Sequence, residues 1–263
     1  MLMQTIKLTY GKIKLIVNKN EPFLYYATFI ADEYSRLDIK EGDFVIDAGA
    51  NIGDFSVKSA KLVGSNGKVI AIEPDQNNVE ILKKNLDLNQ LKNVSIVQQA
   101  LSDSGDGAFL QQEGVVASIA GKKNGRKVNT VTINDLINEF SGDRQNIVLK
   151  MDIEGGEELV FKDPTFLLKV REIAMELHGK NNITDIPNKL KNYGFTIYNF
   201  TSHDEIKNTI KNFIRHPLNV INAEFKTNFI ATRGAFKTLI GENPIPSINN
   251  SDVKVIYAAR KEH

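Results

Sequence analysis

Short apolar runs alternate along this chain with longer amphipathic runs, and this alternation restricts the fold more than any other feature. FVIDAG, at residues 44–49, is apolar and β-branched, and NIGDFSVKSAKLV after it places apolar residues at helical spacing. Further short apolar runs are KVIAIEP, VSIVQQAL, NIVLKMD, REIAMELHG and FTIYNF. Strands that alternate with helices predict an α/β fold, in which helices cover both faces of a mostly parallel sheet.

Composition and charge exclude several classes of site. The 33 Lys and Arg residues nearly balance the 32 Asp and Glu residues, which argues against a constitutive nucleic-acid binder. The chain has no cysteine, so disulfides, zinc–thiolate sites and cysteine nucleophiles are excluded. Polar residues interrupt the start, MLMQTIKLTYGKIKLIV, unlike a signal peptide. No run approaches the about 18–20 apolar residues of a membrane span, and we expect a cytoplasmic protein.

The chain is expected to consist of an N-terminal extension and one large domain. Residues 1–39 predict a hairpin and then an amphipathic helix over 23–37, and residues 40–263 carry the alternating pattern. Two segments interrupt that pattern, the glycine-rich 102–128 and the mixed 201–248. We predict that both are excursions on the side where a substrate binds. The sequence leaves open whether the extension covers a pocket or pairs two chains as a homo-oligomer.

The turn between the first strand of this domain and its helix carries an acid and spaced glycines. Asp47 ends the strand, and Gly49, Asn51 and Gly53 follow as G-x-x-x-G. A nicotinamide-binding turn uses G-x-G-x-x-G and places a pyrophosphate at the helix N-terminus. Because a carboxylate at position 47 would repel a pyrophosphate, the turn suits a ligand that carries an ammonium group.

A second acid, Glu73, follows the next strand and lies twenty residues after Gly53. An acid at this spacing commonly accepts hydrogen bonds from ribose hydroxyls. S-adenosyl-L-methionine fits the description of a ligand with a ribose, a positive charge and no phosphate. Taken singly, Asp47 is as well explained as a turn cap and Glu73 as a solvated acid. Their order and spacing favour a nucleotide site over that interpretation and disfavour an NAD-dependent enzyme.

Four blocks, VIDAGANIGDFS, IEPDQNNVEILKKNLDLN, LKMDIEGGEELVF and MELHG, resemble in this order the FkbM family of S-adenosylmethionine-dependent methyltransferases. The resemblance covers roughly residues 40–180. It implies a Rossmann-like class I methyltransferase fold, with a seven-stranded, mostly parallel sheet whose last strand is antiparallel. VKVIYAARK would supply that strand. The family chiefly methylates hydroxyl groups of small molecules and sugars.

The resemblance also implies a role for each matching position in cofactor binding. The positions implied for the methionine end are Asp47, Gly49, Asn51 and Gly53. Glu73 would bind the ribose, and Asp152 would close the site from the fourth strand. The positions implied for the adenine, at the end of the third strand, are Gln99, Ala100 and Leu101.

Methyl transfer to a hydroxyl needs a base or a metal ion to draw off the proton. Asp152, Glu176 and His178 are the candidates, and the last two point to the same face of a strand because they are two residues apart. His178 is the predicted general base, since an unperturbed imidazole has a pKa of about 6.5. Alternatively these three side chains would hold one Mg²⁺ or Mn²⁺, or the last two would only satisfy backbone groups of loops.

Glu154, in DIEGGEE, has two interpretations that the sequence leaves open. It would cap the following helix, whose N-terminus favours acids, or it would face the acceptor as a further catalytic candidate.

The sequence therefore predicts an O-methyltransferase that acts on a small molecule or sugar. A nucleic-acid methyltransferase is the alternative, but the turn at residues 152–155, Asp-Ile-Glu-Gly, has no proline and no aromatic ring to stack a base. A second alternative is a binding module that keeps the nucleotide fold without catalysis.

Overall fold

The computed structural model describes residues 4–113, 116–120, 125–142, 144, 146–227 and 252–260. The strands are β1 (Thr5–Tyr10), β2 (Ile13–Asn18), β3 (Phe44–Ala48), β4 (Lys68–Ile72), β5 (Val94–Val97), β6 (Ala100–Leu101), β7 (Ala108–Glu113), β8 (Val116–Ala120), β9 (Arg126–Val128), β10 (Thr130–Val131), β11 (Ile147–Met151), β12 (Val170–His178), β13 (Phe195–Asn199) and β14 (Val253–Arg260). The helices are α1 (Phe23–Tyr25), α2 (Asp54–Val63), α3 (Gln76–Leu88), α4 (Ile133–Phe140), α5 (Glu157–Val160), α6 (Lys180–Asn192), α7 (Ser202–Arg215) and α8 (Pro217–Thr227). A π-helical turn, Tyr26–Ala31, continues α1, and a 3-10 helix, Pro164–Lys169, follows α5. In these parts of the chain, no helix combines the length and the apolar character that a membrane span requires.

Seven strands form the central sheet in the spatial order β13-β14-β12-β11-β3-β4-β5. Strand β14 is antiparallel to both of its neighbours, and the other four adjacent pairs are parallel. This arrangement confirms the predicted Rossmann-like fold with an antiparallel last strand. Every residue of β3 and of β11 is buried, as expected for parallel strands that are covered on both faces.

Alternate residues of the central strands supply two apolar cores. Phe44 and Ile46 of β3 join a cluster on the face covered by α4 and α6. Val45, between them, joins a cluster on the opposite face with Phe55 and Val63 of α2. Because successive side chains of a strand point to opposite faces, one short apolar run can fill both cores.

The order of the strands reverses beside β3, and this reversal locates a crevice. The chain passes from β3 to β4 and β5 on one side, and from β11 to β12 on the other. Ligands of open α/β sheets bind at such a switch point, beyond the carboxyl ends of the strands. The predicted site residues lie at the carboxyl ends of these strands or in the loops that follow. They are Asp47 to Gly53 at β3, Glu73 after β4, Asp152 after β11 and His178 at the end of β12.

Two predicted elements are shorter than the sequence indicates. The first helix ends at Ala31, not near residue 37, because Asp32 adopts a left-handed conformation with φ of 48°. The third strand of the large domain ends at Val97, and the separate β6 pairs in parallel with β10. Hydrogen bonding to residues 130–131 therefore takes this part of the chain out of the main sheet.

The two predicted excursions have regular structure where the structure describes them. In 102–128, strands β7, β8 and β9 form a small antiparallel sheet. In 201–248, helices α7 and α8 account for the residues up to 227, and the remainder lies outside the described residues. The domain boundary at residues 39 and 40 stays a prediction.

The N-terminal hairpin is formed by β1 and β2 and packs against α3. Leu8 and Leu15 share an apolar cluster with Leu82 of α3. Asn85, which is fully buried, accepts a hydrogen bond from the Ile16 backbone N–H at 2.6 Å. Its side-chain amide donates to two backbone oxygens, those of Ile16 and Ile52, at 3.0 and 2.8 Å. One side chain thus joins the hairpin, α3 and the glycine turn.

Replacing Asn85 with leucine should lower the free energy of unfolding by about 3 kcal/mol, because three buried backbone groups lose their partner. Urea denaturation followed by circular dichroism measures this change. Asn89→Leu is the matched control, since Asn89 bonds in the same way to the backbone of Lys14 but at solvent-exposed positions, where water replaces it. Equal losses for the two variants would contradict the role given to Asn85.

Candidate active site

The turn after β3 is tightly packed on its neighbours. Gly49 and Gly53 have left-handed backbones, with φ of 75° and 82°. A Cβ atom at Gly49 would lie 1.7 Å from the Asp152 carbonyl oxygen, and one at Gly53 would lie 2.8 Å from Leu82 Cγ. Any side chain would therefore clash at either position. The glycines allow the turn to touch the loop after β11 on one side and α3 on the other.

Asp47 lies beneath this turn in a buried ion pair. It is fully buried, and Lys150 Nζ of β11 lies 3.3 Å from its Oδ1 atom. Ser56 donates a hydrogen bond to the other carboxylate oxygen at 2.5 Å. The expectation that Asp47 faces an ammonium group of a ligand is corrected here, because a cation of the chain already neutralises it and no surface is exposed.

Lys150 is a site residue that the sequence analysis missed. It donates a hydrogen bond to the Gly49 carbonyl oxygen at 2.7 Å and so holds the glycine turn. Burial lowers its pKa, but the carboxylates of Asp47 and Asp152 outweigh burial and raise the pKa above its usual value. A lysine inside the apolar run NIVLKM is the signal that could have revealed it.

Glu73 connects the glycine turn to the loop after β4. It is 5% exposed and accepts hydrogen bonds from the backbone N–H groups of Asn51 at 2.9 Å and Asp75 at 2.8 Å. Asn51 has a positive φ of 48°, which turns its N–H toward the carboxylate. Burial raises the pKa of Glu73 to about 7, against the lowering effect of these bonds. Glu73 thus lies beside the glycine turn, as its spacing suggested.

The three residues predicted to line an adenine do not end a strand of the main sheet. Ala100 and Leu101 form β6, are 1% and 2% exposed, and pair with β10. Leu101 belongs to the apolar core beneath the sheet. Gln99 donates a side-chain hydrogen bond to the Thr130 carbonyl oxygen at 3.1 Å. The predicted strand position is therefore wrong, because the chain leaves β5 before it reaches these residues.

A cluster of acids and one histidine lies beyond β11 and β12. Ligand atoms of Asp152, Glu154 and His178 all lie within 4.8 Å of one another. His178 Nε2 is 3.2 Å from Glu154 Oε2 and 3.8 Å from Glu176 Oε1. Asp152 also contacts the glycine turn, since its carbonyl oxygen is the atom that excludes a side chain at Gly49. The structure thus brings together all four predicted catalytic candidates.

Of the two interpretations of Glu154, the contacts favour the one that places it in the acid cluster, and its role toward an acceptor stays a prediction. Helix α5 begins at Glu157 after Gly156, which provides no side-chain capping bond. Glu154 lies before that helix with a positive φ of 54°, and its carboxylate contacts His178. The suggestion that Glu154 caps the helix is therefore wrong.

Two further residues that orient His178 were missed. Glu157 is fully buried, and its Oε1 atom lies 3.1 Å from His178 Nδ1. Asn182 donates to the other oxygen of Glu157 at 3.1 Å and to the His178 carbonyl oxygen at 2.9 Å. These contacts fix the ring so that Nε2 faces the acids. The feature of the sequence that could have revealed Glu157 is the additional acid in the DIEGGEE block.

The charge state of His178 differs from the prediction. Burial lowers its pKa, but the contact with Glu157 and the acids Glu154 and Asp152 outweigh burial and raise the pKa to about 9. The raised pKa favours the protonated imidazole at neutral pH, which differs from the expected pKa near 6.5. The role of His178 as the general base stays a prediction.

More buried acids surround the cluster than the sequence revealed. Burial raises the pKa of Glu176 well above its usual value, with a further contribution from Asp152. Glu33, which follows the π-helical turn, is 8% exposed, and burial together with Asp152 raises its pKa to about 8. Carboxyl groups with raised pKa values in a crevice are typical of functional sites.

The order of the seven strands, with a glycine turn at the switch point, defines a Rossmann-like fold of the class I methyltransferase type. A family profile described as "Methyltransferase FkbM domain" matches residues 47–197, more than half of the 263-residue chain. The chain belongs to the FkbM methyltransferase family, as its motifs predicted. The methyl donor of this family is S-adenosyl-L-methionine, in agreement with the cofactor predicted from the sequence.

Individual relatives match to different extents. Methyltransferase sdnD of Sordaria araneosa is 26% identical over 234 residues, which cover 74% of this chain and 89% of that protein. A probable cobalt-precorrin-6B C(15)-methyltransferase (decarboxylating) of Sulfurisphaera tokodaii is 39% identical over 64 residues, 24% of this chain and 33% of the relative. The chain spans between 32% and 43% of the length of such precorrin relatives.

Solved structures resemble the chain at low sequence identity. Precorrin-6y C5,15-methyltransferase from Geobacter metallireducens GS-15 is 12% identical, with a TM-score of 0.47 and coverage of 88% of this chain and 87% of that chain.

Replacing Asp47 with asparagine should lower the free energy of unfolding by about 3–5 kcal/mol, because it leaves the Lys150 charge buried without a counterion. Ser56→Ala is the matched control, since it removes a neutral donor from the same carboxylate and should cost about 1 kcal/mol. Chemical denaturation at pH 7 measures both changes. An Asp47→Asn variant as stable as Ser56→Ala would contradict the buried ion pair.

The protein should lose stability as the pH rises from about 5 to about 9. The raised pKa values of Asp54, Glu73 and Glu33, about 6, 7 and 8, mean that the folded chain binds more protons than the unfolded chain. The His178 contribution is complete below 6.5 and is lost as the pH rises through about 9. A loss of 1 kcal/mol lowers Tm by about 2–4 °C for a chain of this size, so a fall of more than about 5 °C is expected.

Calorimetry in EDTA at constant ionic strength measures this pH dependence. His178→Gln should remove the part of the decline between pH 6.5 and about 9. A Tm that is constant or rises over this range would contradict the assigned protonation states.

Proposed function

We propose that the chain is an S-adenosylmethionine-dependent methyltransferase that transfers the methyl group to a hydroxyl of a small molecule or sugar. The observation that carries this proposal is the contact between Gly49 and Asp152. Through this contact the turn that would hold the donor and the cluster that would receive the acceptor form one continuous wall. A methyl group held at the turn would then face side chains that can take up a proton.

On the donor side, Glu73 is the residue assigned to the ribose. Its carboxylate bridges the backbone of Asn51 and Asp75, so it is anchored at both oxygens and retains lone pairs for ribose hydroxyls. Asp47 is assigned an indirect role, because it holds Lys150, which in turn holds the Gly49 carbonyl oxygen. The remaining predicted positions, Gly53 in the turn and Gln99 and Ala100 near the adenine, keep their assignment as proposals.

On the acceptor side, the chemistry is an in-line displacement. The hydroxyl oxygen of the acceptor bonds to the methyl carbon, the sulfur–carbon bond breaks, and S-adenosylhomocysteine leaves with the electron pair. The hydroxyl proton goes to a carboxylate, for which we assign Glu154. Burial and the nearby Asp152 raise the pKa of Glu154, which makes it a stronger base than an ordinary glutamate. His178, which is protonated, would position Glu154 and not receive the proton.

The alternative of a nucleic-acid acceptor receives no support from the described residues. The rim of the crevice carries Asp152, Glu154 and Glu176, and carboxylates at this position would repel a phosphate backbone. Lys150, the lysine of the central sheet that interacts electrostatically with Asp152 and Glu154, is buried and paired with Asp47 and so is not available to a phosphate.

Glu73→Gln should weaken the binding of S-adenosylhomocysteine by about 10- to 100-fold, because an amide replaces an acceptor oxygen that holds charge-assisted bonds. Isothermal titration calorimetry measures the affinity, with NAD as the comparison ligand. Glu80→Gln is the matched control, since Glu80 is an exposed acid on α3. Equal affinity of the two variants would contradict the ribose assignment, and binding of NAD alone would contradict the proposed donor.

The same preparations test the acceptor class. S-adenosylmethionine and a panel of hydroxylated sugars and small molecules are incubated with the protein, and the release of S-adenosylhomocysteine is measured. Release with hydroxyl acceptors supports O-methylation. Release only with amines or nucleic acid would contradict it, and binding of the donor product without any release would favour a non-catalytic module.

A further inference from the structure

Three side chains at the ends of β11 and β12 converge with the spacing of metal ligands. One oxygen of Asp152, one oxygen of Glu154 and one ring nitrogen of His178 lie within 4.8 Å of one another. The distance between His178 Nε2 and Glu154 Oε2, 3.2 Å, is close to the separation of about 3.0 Å between adjacent ligands of an octahedral ion.

We propose that Asp152, Glu154 and His178 bind one divalent metal ion of the class that accepts both carboxylate oxygen and imidazole nitrogen, with Mn²⁺ as its representative. This inference rests on the proposed function, because the ion would lie on the acceptor side of the same crevice. With the ion bound, Glu154 would be a ligand, and Glu176, beside the set, would take up the hydroxyl proton in its place. This set of ligands revises the hypothesis from the sequence, which placed Glu176 among them. Glu176 Oε1 is 3.8 Å from His178 Nε2, farther than Glu154, and lies beside the set.

The surroundings of His178 are those of a metal ligand. Metal-binding histidines almost always donate the second ring N–H to a carboxylate or carbonyl, which fixes the ring and strengthens the ligand. Glu157 is fully buried and contacts Nδ1 at 3.1 Å, so Nε2 is the nitrogen that faces Asp152 and Glu154. Asn182 anchors Glu157 in turn. Glu157 and Asn182 therefore act as positioning residues, outside the ligand set itself.

One oxygen of Asp152 supports a ligand at this place independently. Its Oδ1 atom is buried and has no hydrogen-bond partner within the described part of the chain. A buried polar atom without a partner costs free energy, so such an atom in a native structure calls for a ligand or an ion. The backbone N–H of Asp152 donates to Ala48, which fixes the residue at the end of β11.

Further acids lie around the cluster. Glu33 and Glu176 are two more buried or half-buried carboxyl groups beside the ligand set, and both interact electrostatically with Asp152. On the opposite side, Lys150 is the buried ammonium group that Asp47 already engages. An ammonium group of an acceptor would also bring positive charge, but it makes no use of the imidazole nitrogen that Glu157 aims at the acids.

The test is the binding of Mn²⁺ to the full chain after EDTA treatment, at pH 7.5. The amplitude of the electron paramagnetic resonance signal of free Mn²⁺ gives the bound fraction without any enzymatic turnover. Glu154→Gln should weaken binding by about 10-fold or more, since even the loss of groups behind the ligands has that effect. Glu158→Gln is the matched control, because Glu158 is an exposed acid of the adjacent helix α5.

The site is supported if the wild type and Glu158→Gln bind Mn²⁺ stoichiometrically and Glu154→Gln binds it weakly. Competition by Mg²⁺ would show that the site also accepts Mg²⁺. An unchanged signal in the wild type, or equal binding by both variants, overturns the site. S-adenosylhomocysteine affinity is measured on the same samples. If the wild type binds S-adenosylhomocysteine but not Mn²⁺, the metal site alone is refuted. If the wild type does not bind S-adenosylhomocysteine, the proposed function is refuted.

Discussion

The buried ion pair between Asp47 and Lys150 is the interaction on which the rest of the site depends. The two residues lie directly opposite each other on the adjacent parallel strands β3 and β11. Lys150 then extends to the Gly49 carbonyl oxygen, so the charge that neutralises Asp47 also determines where the glycine turn begins. Because Gly49 packs on the Asp152 carbonyl, the same lysine holds the glycine turn where it contacts the loop that carries the acid cluster.

Local patterns in the sequence were sufficient for most of the fold and for the positions of several candidate site residues at the strand ends. The run FVIDAGANIGDFS predicts a strand, a turn and a helix because each depends on neighbouring residues alone. The roles of Lys150 and Glu33 depend on residues about a hundred positions away, and no periodic pattern reports such contacts. Strand β5 ends early for the same reason, since the competing partner of β6 lies at residues 130–131.

For His178, the sequence predicted the position of the residue but not its protonation state. Its place at the end of β12 followed from the sequence, but its protonation state depends on Glu157, which becomes a neighbour only when α5 folds against the strand. Acids on two sides keep the imidazole charged, so a residue chosen as a proton acceptor holds a proton instead. A cation bound at Nε2 would replace that proton and would neutralise the same negative charge.

The position of β14 has a consequence for the order of folding. This strand comes last in the described chain, yet it inserts between β12 and β13. Among the described strands β13 pairs with β14 alone, so during synthesis it leaves the ribosome before that partner, while the β12 edge that β14 will cover is still open. The half of the sheet that carries His178 can close only after Val253–Arg260 has emerged. Premature termination upstream of this strand would thus release a polypeptide with an assembled glycine turn and an incomplete, aggregation-prone sheet.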